Sequence, residues 1–396
     1  MTPAQPQTSN LLLRLWRNQD SRAVIIQIVT MAAIFALLAL IARNVVTNLA
    51  AIGKEFSFGF LLWPAAYDIT FSPFIEYTSR STHLRAAVVG ILNTLLVAAC
   101  GIVLATFMGF LMGILRLSTN WLVNRLVYCF LEFTRNVPIL LHILLIHGII
   151  ITQLHPPRQA MNFADSFFLS NRGFFIPQPV WEPIAWIVAA VFVISIVFVF
   201  FFRRWAKKVQ DETGRVYPVF WISTGVIVGA TAIAFFATGM PLSWSIPELR
   251  GFNFKGGLAI KPEFIALWLA LSYYTSCFIA ENVRSGILAV SYGQTEAAAA
   301  LGMTRNRTLQ LIIIPQAIRV IVPPLASQYL NLTKNSSLAI AIGYMDVVAT
   351  VGGITLMQTG KEMETMIIVL LTYLVISLVI SGFMNWFNKK TALVER

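Results

Sequence analysis

The chain has 396 residues, of which 57% are hydrophobic and 12% charged, with a formal net charge of +12 and a mean hydropathy of +0.74. Soluble domains carry about 25% charged residues, so half that share excludes an ordinary soluble globular protein and points to an integral membrane protein. The positive balance does not make a nucleic-acid binder, because the basic residues lie between apolar blocks, where membrane topology and anionic headgroups account for them.

In chain order, the polar start MTPAQPQTSN has the composition of a disordered segment. The apolar run 24–42 follows Arg14, Arg17 and Arg22. It is long for a signal-peptide core and lacks a small-x-small cleavage site, so it reads as an uncleaved anchor. Residues 43–85 are rich in Phe, Tyr, Trp and Pro (FSFGFLLWPAAYDITFSPFIEYTSR) and are expected to pack over the spans as a short amphipathic element. A helix rises about 1.5 Å per residue, so roughly 20 apolar residues cross the hydrocarbon core. Further runs of that kind lie near 86–115, 136–153, 184–202, 219–238, 264–283, 322–345 and 365–386, about eight spans in all. The third is short and follows an amphipathic stretch, 121–135, suited to the interface. The seventh holds Lys334 and Asn335 and starts irregularly at Pro323-Pro324. The expected fold is an all-α integral membrane protein.

Within the second span Gly101, Ala105, Gly109 and Gly113 recur at four-residue spacing. Small residues in this pattern let another helix approach closely, either at a dimer interface or moving contact, or within one subunit. Cys100, Cys129 and Cys277 lie in or beside apolar runs without a CxxC or a His/Cys cluster. They predict packing rather than a disulfide framework or metal site.

With the N-terminus placed in the cytoplasm, the inner segments hold 19 of the 29 lysines and arginines and the outer segments 10. That bias predicts both termini inside, with RRWAKK (203–208) the strongest anchor. It also places the stretch GQTEAAAALGMTRNRTLQLIIIP (293–315) in the cytoplasm, between spans six and seven.

The local signals in that stretch predict two short helices at an angle. Ser291 and Gln294 have capping-box spacing for a helix starting near Tyr292. Ala297 to Ala300 give it high propensity, and Gly302 fits a left-handed stop. Thr304 would cap a second helix over RNRTLQLIII, and Pro315 predicts a turn. The alanines make a thin face able to enter a groove on another protein, flanked by Glu296 and Arg305.

The pattern EAA-x3-G-x9-I-x-I-P, from Glu296 to Pro315, resembles the EAA loop of permease subunits in bacterial ABC importers. Ile314 stands where that family usually has leucine. The resemblance implies a type I importer permease fold with a cytoplasmic coupling helix that docks on an ATP-binding subunit. Glu296, Ala297, Ala298 and Gly302 would form the docking element, and Ile312 and Pro315 would anchor its far end. FIAENVRSGILAVSYGQTEAA (278–298), LNTL (92–95), FTRNVPILL (133–141) and KNSSLAIAIGYMD (334–346) are similar to the polar amino-acid, histidine/glutamine-type permeases. Two departures fall in the third span. Arg135-Asn136-Val137-Pro138 replaces the frequent Arg-Gly-Thr-Pro, and His142 takes the place of a glutamine.

The resemblance implies residues 1–85 as a tail, added span and periplasmic segment, and 86–390 as the permease domain. That domain carries a two-helix insertion at about 154–262, and 391–396 is a tail. This layout resembles the Q-type permease of general L-amino acid transporters. The implied system imports L-amino acids across the bacterial inner membrane, with a dimer of ATP-binding subunits, a second related permease and a periplasmic amino-acid-binding protein. ATP and Mg would be used by the ATPase, while this chain would bind no cofactor or metal directly.

Glu281 and Arg284 are three apart near the inner end of span six and can pair, as a gate or a structural pair. His142 and His147 lie within span three, and His142, Asn93, Thr94, Ser336 and Ser337 are candidates for the substrate path. Packing is the competing role of each. No GxxxxGK[ST] phosphate loop, catalytic triad or metal cluster occurs in the sequence, so the subunit is not expected to hydrolyse ATP. An ion-gradient-driven secondary transporter is the alternative class, but it predicts repeated halves, which are not evident, and leaves the EAA loop without a job. A membrane enzyme would need a catalytic constellation that the chain lacks.

Overall fold

A computed structural model describes residues 19–391. The expected disordered start and the tail at 391–396 fall almost wholly outside the described residues. Within them, seven helices are long and apolar enough to cross a membrane, or eight if one sharply bent pair counts as a span. The chain is therefore a mostly helical integral membrane protein.

Helix α1 (Gln19–Ala51) has no buried residue, so its apolar side chains face the surroundings along its whole length. It passes through a 3-10 turn (Gly59–Leu62) and an extended segment to α2 (His83–Leu115). Thr82 caps α2 by accepting from the Arg85 backbone N–H. The segment before α2 does pack over the spans: Ala65 and Ile69 are buried against Ala86 and Val89. Its ordered contacts come mostly from extended backbone rather than from an amphipathic helix.

The core is built on α2, α7 (Pro262–Leu288) and α10 (Ile314–Asn335). The glycine stripe of α2 is spent inside the chain. A Cβ on Gly109 would stand 2.5 Å from Ile279 Cγ2, and one on Gly113 would stand 2.7 Å from Val283 Cβ and 2.8 Å from the Ala280 carbonyl oxygen. Higher numbers on α2 meet higher numbers on α7, so these two helices run parallel and both end on the same face. Gly286 gives α10 a similar approach, with Ile321 Cγ1 only 2.3 Å from an added Cβ. Close backbone approach allows dense van der Waals packing where lipid supplies no hydrophobic drive between helices.

The third span is broken rather than straight. α3 (Trp121–Asn136) and α4 (Ile139–Gln153) meet at 105°. Val137 is extended (φ −100°, ψ 132°) because the following Pro138 disfavours the helical region at the residue before it.

The turn expected at Pro315 does not occur. Helix continues from α9 (Arg305–Thr308) through a π turn (Leu309–Ile313) into α10, and Pro315 lies in its first turn. The Ile314 N–H reaches back five residues to the Leu309 carbonyl. The wider π turn supplies that longer register just before a residue that has no N–H to give. Pro323 and Pro324 likewise sit inside α10 instead of starting it, so the span begins much earlier than residue 322. Prolines are tolerated in membrane helices where neighbouring helices cover the freed backbone.

After α10 the chain tightens into a 3-10 segment (Ser336–Ile342), ended by Gly343 at φ +77°. A π segment (Val348–Thr355), α11 (Leu356–Thr359) and α12 (Glu362–Thr391) follow. Lys54 pairs with Glu362 at 2.7 Å, which joins the end of α1 to the start of α12 on one face.

Between α4 and α7, α5 (Ala185–Thr213) and α6 (Val219–Ala237) pack on each other. The connections before α5 and after α6 hold strands, which the all-helical expectation lacked. β1 (Met161–Phe163), β2 (Phe167–Ser170), β3 (Gly173–Ile176) and β8 (Leu258–Ile260) form one antiparallel sheet in that order. β4 (Gln178–Trp181) pairs with β5 (Leu242–Ser245), and β6 (Glu248–Arg250) with β7 (Asn253–Lys255). Phe254 of β7 packs on the first sheet, its ring stacked 4.5 Å from Phe168 and tilted 4.8 Å from Phe175.

Candidate coupling loop and polar core

Helix α8 (Tyr292–Ala300) hangs between the end of α7 and the start of α9. Its C-terminus closes with two backbone bonds: Gly302 N–H to the Ala299 carbonyl at 2.9 Å, and Met303 N–H to the Ala298 carbonyl at 3.0 Å. This is a Schellman closure, and it needs the left-handed residue that Gly302 supplies at φ +71°. The start differs from the expectation. Neither Ser291 nor Thr304 makes a side-chain cap bond, and the Gln294 N–H bonds to the Ser291 backbone carbonyl. The Gln294 side chain instead accepts from Gln316 Nε2 at 3.4 Å, tying α8 to α10.

Ala298 is the buried residue of α8, while Glu296, Ala297 and Gly302 are exposed. Ile312 is half-buried and Pro315 exposed on the helix that follows. Tyr292 and Leu301 are apolar yet 74% and 81% exposed, beside a groove of about 680 Å³ lined by Leu288, Ala299, Met303 and Leu309 among others. The result is a short, largely exposed helix, joined at one end to α7 and at the other, through α9 and the π turn, to α10.

The polar candidates separate into distinct places. Asn93 is fully buried and donates through Nδ2 to the Phe71 carbonyl at 2.8 Å and the Met345 carbonyl at 2.9 Å. Thr94 accepts from the Val347 N–H at 3.1 Å and donates to the Gly90 carbonyl. Ser336 donates to the Thr333 carbonyl and stands 3.4 Å from the Tyr373 hydroxyl. These three surround a residue that composition did not single out, Asp346. Its fully buried carboxylate accepts from the Ala349 N–H at 2.8 Å and from the Tyr373 hydroxyl at 3.2 Å. Tyr344 closes the group by donating to the Asn93 carbonyl at 3.0 Å. The available signal was a lone carboxylate between apolar runs, which is costly in a membrane unless paired.

On the segment before α2, Tyr67 bonds to the Thr350 carbonyl at 3.4 Å. Burial pushes its hydroxyl above the usual range, against a smaller opposite pull from Thr355, so it remains a donor.

His142 lies apart from this group. It is buried, its Nε2 is 3.3 Å from the Thr134 carbonyl, and its ring stands edge-on to Tyr273 at 5.4 Å. His147 Nε2 is buried without a partner among the described residues. Ser337 bonds only locally, to the Lys334 carbonyl. Glu281 and Arg284 form a 2.9 Å pair, each about a third exposed, near the α8 end of α7.

Over 375 residues the chain is 45% identical to the general L-amino acid transport system permease protein AapQ of Rhizobium johnstonii, covering 95% of this chain and 93% of that one. The chain belongs to the amino-acid ABC transporter permeases. A second relative of the permease is the putative amino-acid ABC transporter permease protein YhdX of Escherichia coli, 45% identical over 96% of both chains. A third is the glutamate/glutamine/aspartate/asparagine transport system permease protein BztB of Rhodobacter capsulatus, 42% identical over 95% of both. The family described as binding-protein-dependent transport system inner membrane component matches residues 212–393 of the permease, which include α8, Ser336, Asp346 and Tyr373. The fold is that of a type I importer permease.

Proposed function

We propose that the permease is the non-catalytic, membrane-spanning half of a general L-amino acid importer in the bacterial inner membrane, with α8 as its coupling helix. The observation that carries this reading is the Gly302-closed helix, exposed on its alanine side and anchored to both α7 and α10. A dimer of ATP-binding subunits would seat α8 in a surface groove and supply the bound ATP and Mg. Glu296, Ala297, Ala298 and Gly302 would make the docking element, with Ile312 and Pro315 at its base. The face bearing α8 is the cytoplasmic one in this reading, in line with the lysine and arginine bias and with both termini inside. A periplasmic amino-acid-binding protein would dock on the opposite face, and a second related permease would complete the translocation path. ATP and loaded binding protein must then favour the same conformation of the spans.

The names of AapQ and BztB support a broad substrate range that includes acidic and amide amino acids. Glu281 and Arg284 are proposed as a gate-side pair, and Asn93, Thr94, Ser336 and Ser337 as the candidates for contact with the path, whereas His142, enclosed by Thr134, Tyr273 and Tyr274, is assigned to packing. Co-purification of the tagged permease with its ATPase tests the central reading. Wild type should recover the ATPase, and Gly302→Asp should lose it together with uptake. Recovery and uptake unaffected by Gly302→Asp would overturn α8 as the coupling helix.

A further inference from the structure

At the end of α2, on the same face as α8, lies a cavity of about 540 Å³ lined by Arg116, Ser118, Thr119, Trp121, Asn124, Arg125 and Tyr128. Both guanidinium groups lie over the single Tyr128 ring, at 4.6 Å for Arg116 and 5.3 Å for Arg125. Arg116 is held there by donating to the Asn124 side-chain oxygen, while Asn124 Nδ2 donates back to the Arg116 carbonyl at 2.8 Å. Among the described residues neither arginine forms an ion pair with a carboxylate. One cation suits the negative end of α2, but two on one ring exceed what that dipole asks for. Like charges so placed call for an anion between them.

The surroundings say at what depth the anion sits. α3 starts at this cavity and meets α4 at a 105° bend, so the two helices do not both run along the membrane normal. Leu122, Leu126, Phe130 and Phe133 recur along α3 and are all exposed, which makes an apolar face left uncovered by the described residues of this chain. Such a helix lies in the interface with its apolar side among acyl chains. Trp121, 76% exposed at the rim, fits the same level, where indole rings collect. The arginines are then at the height of the phosphate groups. Guanidinium forks match phosphate oxygens in pairs, and Ser118 and Thr119 add hydroxyl donors.

We propose that this cavity binds the phosphate of an anionic phospholipid from the leaflet on the α8 side, and so fixes α3 and the bend to α4 in the membrane. The bound group is a lipid headgroup and not a soluble phosphate, because the acyl-facing side of α3 continues directly from the cavity.

The test uses the purified full-length permease, stripped of lipid in mild detergent and titrated with phosphatidylglycerol, with retained lipid counted by native mass spectrometry. The wild-type protein should retain phosphatidylglycerol more tightly than phosphatidylethanolamine. The Arg116→Gln/Arg125→Gln variant should bind it roughly thirtyfold more weakly, the scale expected for removing two interfacial cations. Arg116 also braces Asn124, so Arg125→Gln alone, which breaks no side-chain hydrogen bond among those found, guards against a folding defect and should show part of the loss. Arg158→Gln, in the outer loop after α4, should bind as wild type does. Excess inorganic phosphate should not displace the lipid. Equal retention by wild type and both variants would overturn the site. Displacement by inorganic phosphate would overturn the lipid and leave a soluble anion as the ligand.

Discussion

The Tyr373 hydroxyl donates to the carboxylate of Asp346 across 3.2 Å, joining α12 to the irregular segment that follows α10. Asp346 is fully buried, and its other oxygen takes the Ala349 N–H. The pair therefore clasps two elements that lie far apart in sequence, at a point where Asn93 and Thr94 of α2 also bond to the same segment.

Asp346→Ala would leave the Ala349 N–H without its acceptor and the Tyr373 hydroxyl with only the longer 3.4 Å contact to Ser336. A buried donor left unpaired costs about 1–3 kcal/mol, so the variant should unfold at a clearly lower temperature in detergent. Asp346→Asn keeps the size and one acceptor and should lose less. The Asp346→Asn/Tyr373→Phe double variant should fall short of the sum of the singles, because they share one bond. Additive losses in a thermal-unfolding cycle would show that the two residues act independently.

At Gly302 space is not the constraint, since nothing lies within 4 Å of an added Cβ. The cost is conformational, about 1–2 kcal/mol for a residue with Cβ in the left-handed region. Asn tolerates that region better than Val. Uptake should therefore rank wild type above Gly302→Asn, and Gly302→Asn above Gly302→Val. A Val variant as active as the Asn variant would contradict the strained closure.

The α2–α7 seam is governed by contact instead. Gly113→Ala would press its Cβ to 2.8 Å from the Ala280 backbone oxygen, which cannot rotate away. Expression and melting temperature should drop. Gly225→Ala in α6 meets nothing within 4 Å and should be neutral or slightly stabilising, by up to about 1 kcal/mol of helix propensity. The contrast is read by parallel melts of the two proteins.

His142→Gln should leave amino-acid selectivity unchanged, because the ring is enclosed by Thr134, Tyr273 and Tyr274 rather than grouped with Asn93 and Thr94. Uptake of acidic, basic and neutral amino acids by the variant is the check. A changed order of preference would place His142 on the path.

Much of this architecture is legible in the sequence because the bilayer is a simple solvent. It demands long apolar helices and internal backbone bonding, so the spans show as uninterrupted runs. The left-handed stop at Gly302 is equally local, since it depends on one residue's allowed angles. The EAA spacing and the span order together pointed to the family that overall identity then bore out.

What the sequence could not decide depends on partners distant along the chain. Pro315 reads as a break, but a π turn and the packing of α10 on α7 carry the helix through it. The α2 glycines fit an interface between subunits or a seam within one, and only the placement of Ile279 and Val283 selects the seam. The short strands flanking α5 and α6 have too few residues to show alternation, and their main sheet is completed only because β3 finds β8 more than eighty positions later. Asp346 is a lone acid in an apolar stretch until the fold brings Tyr373 to it. Solvent and local angles set the helices, while long-range contacts decided which of their faces meet.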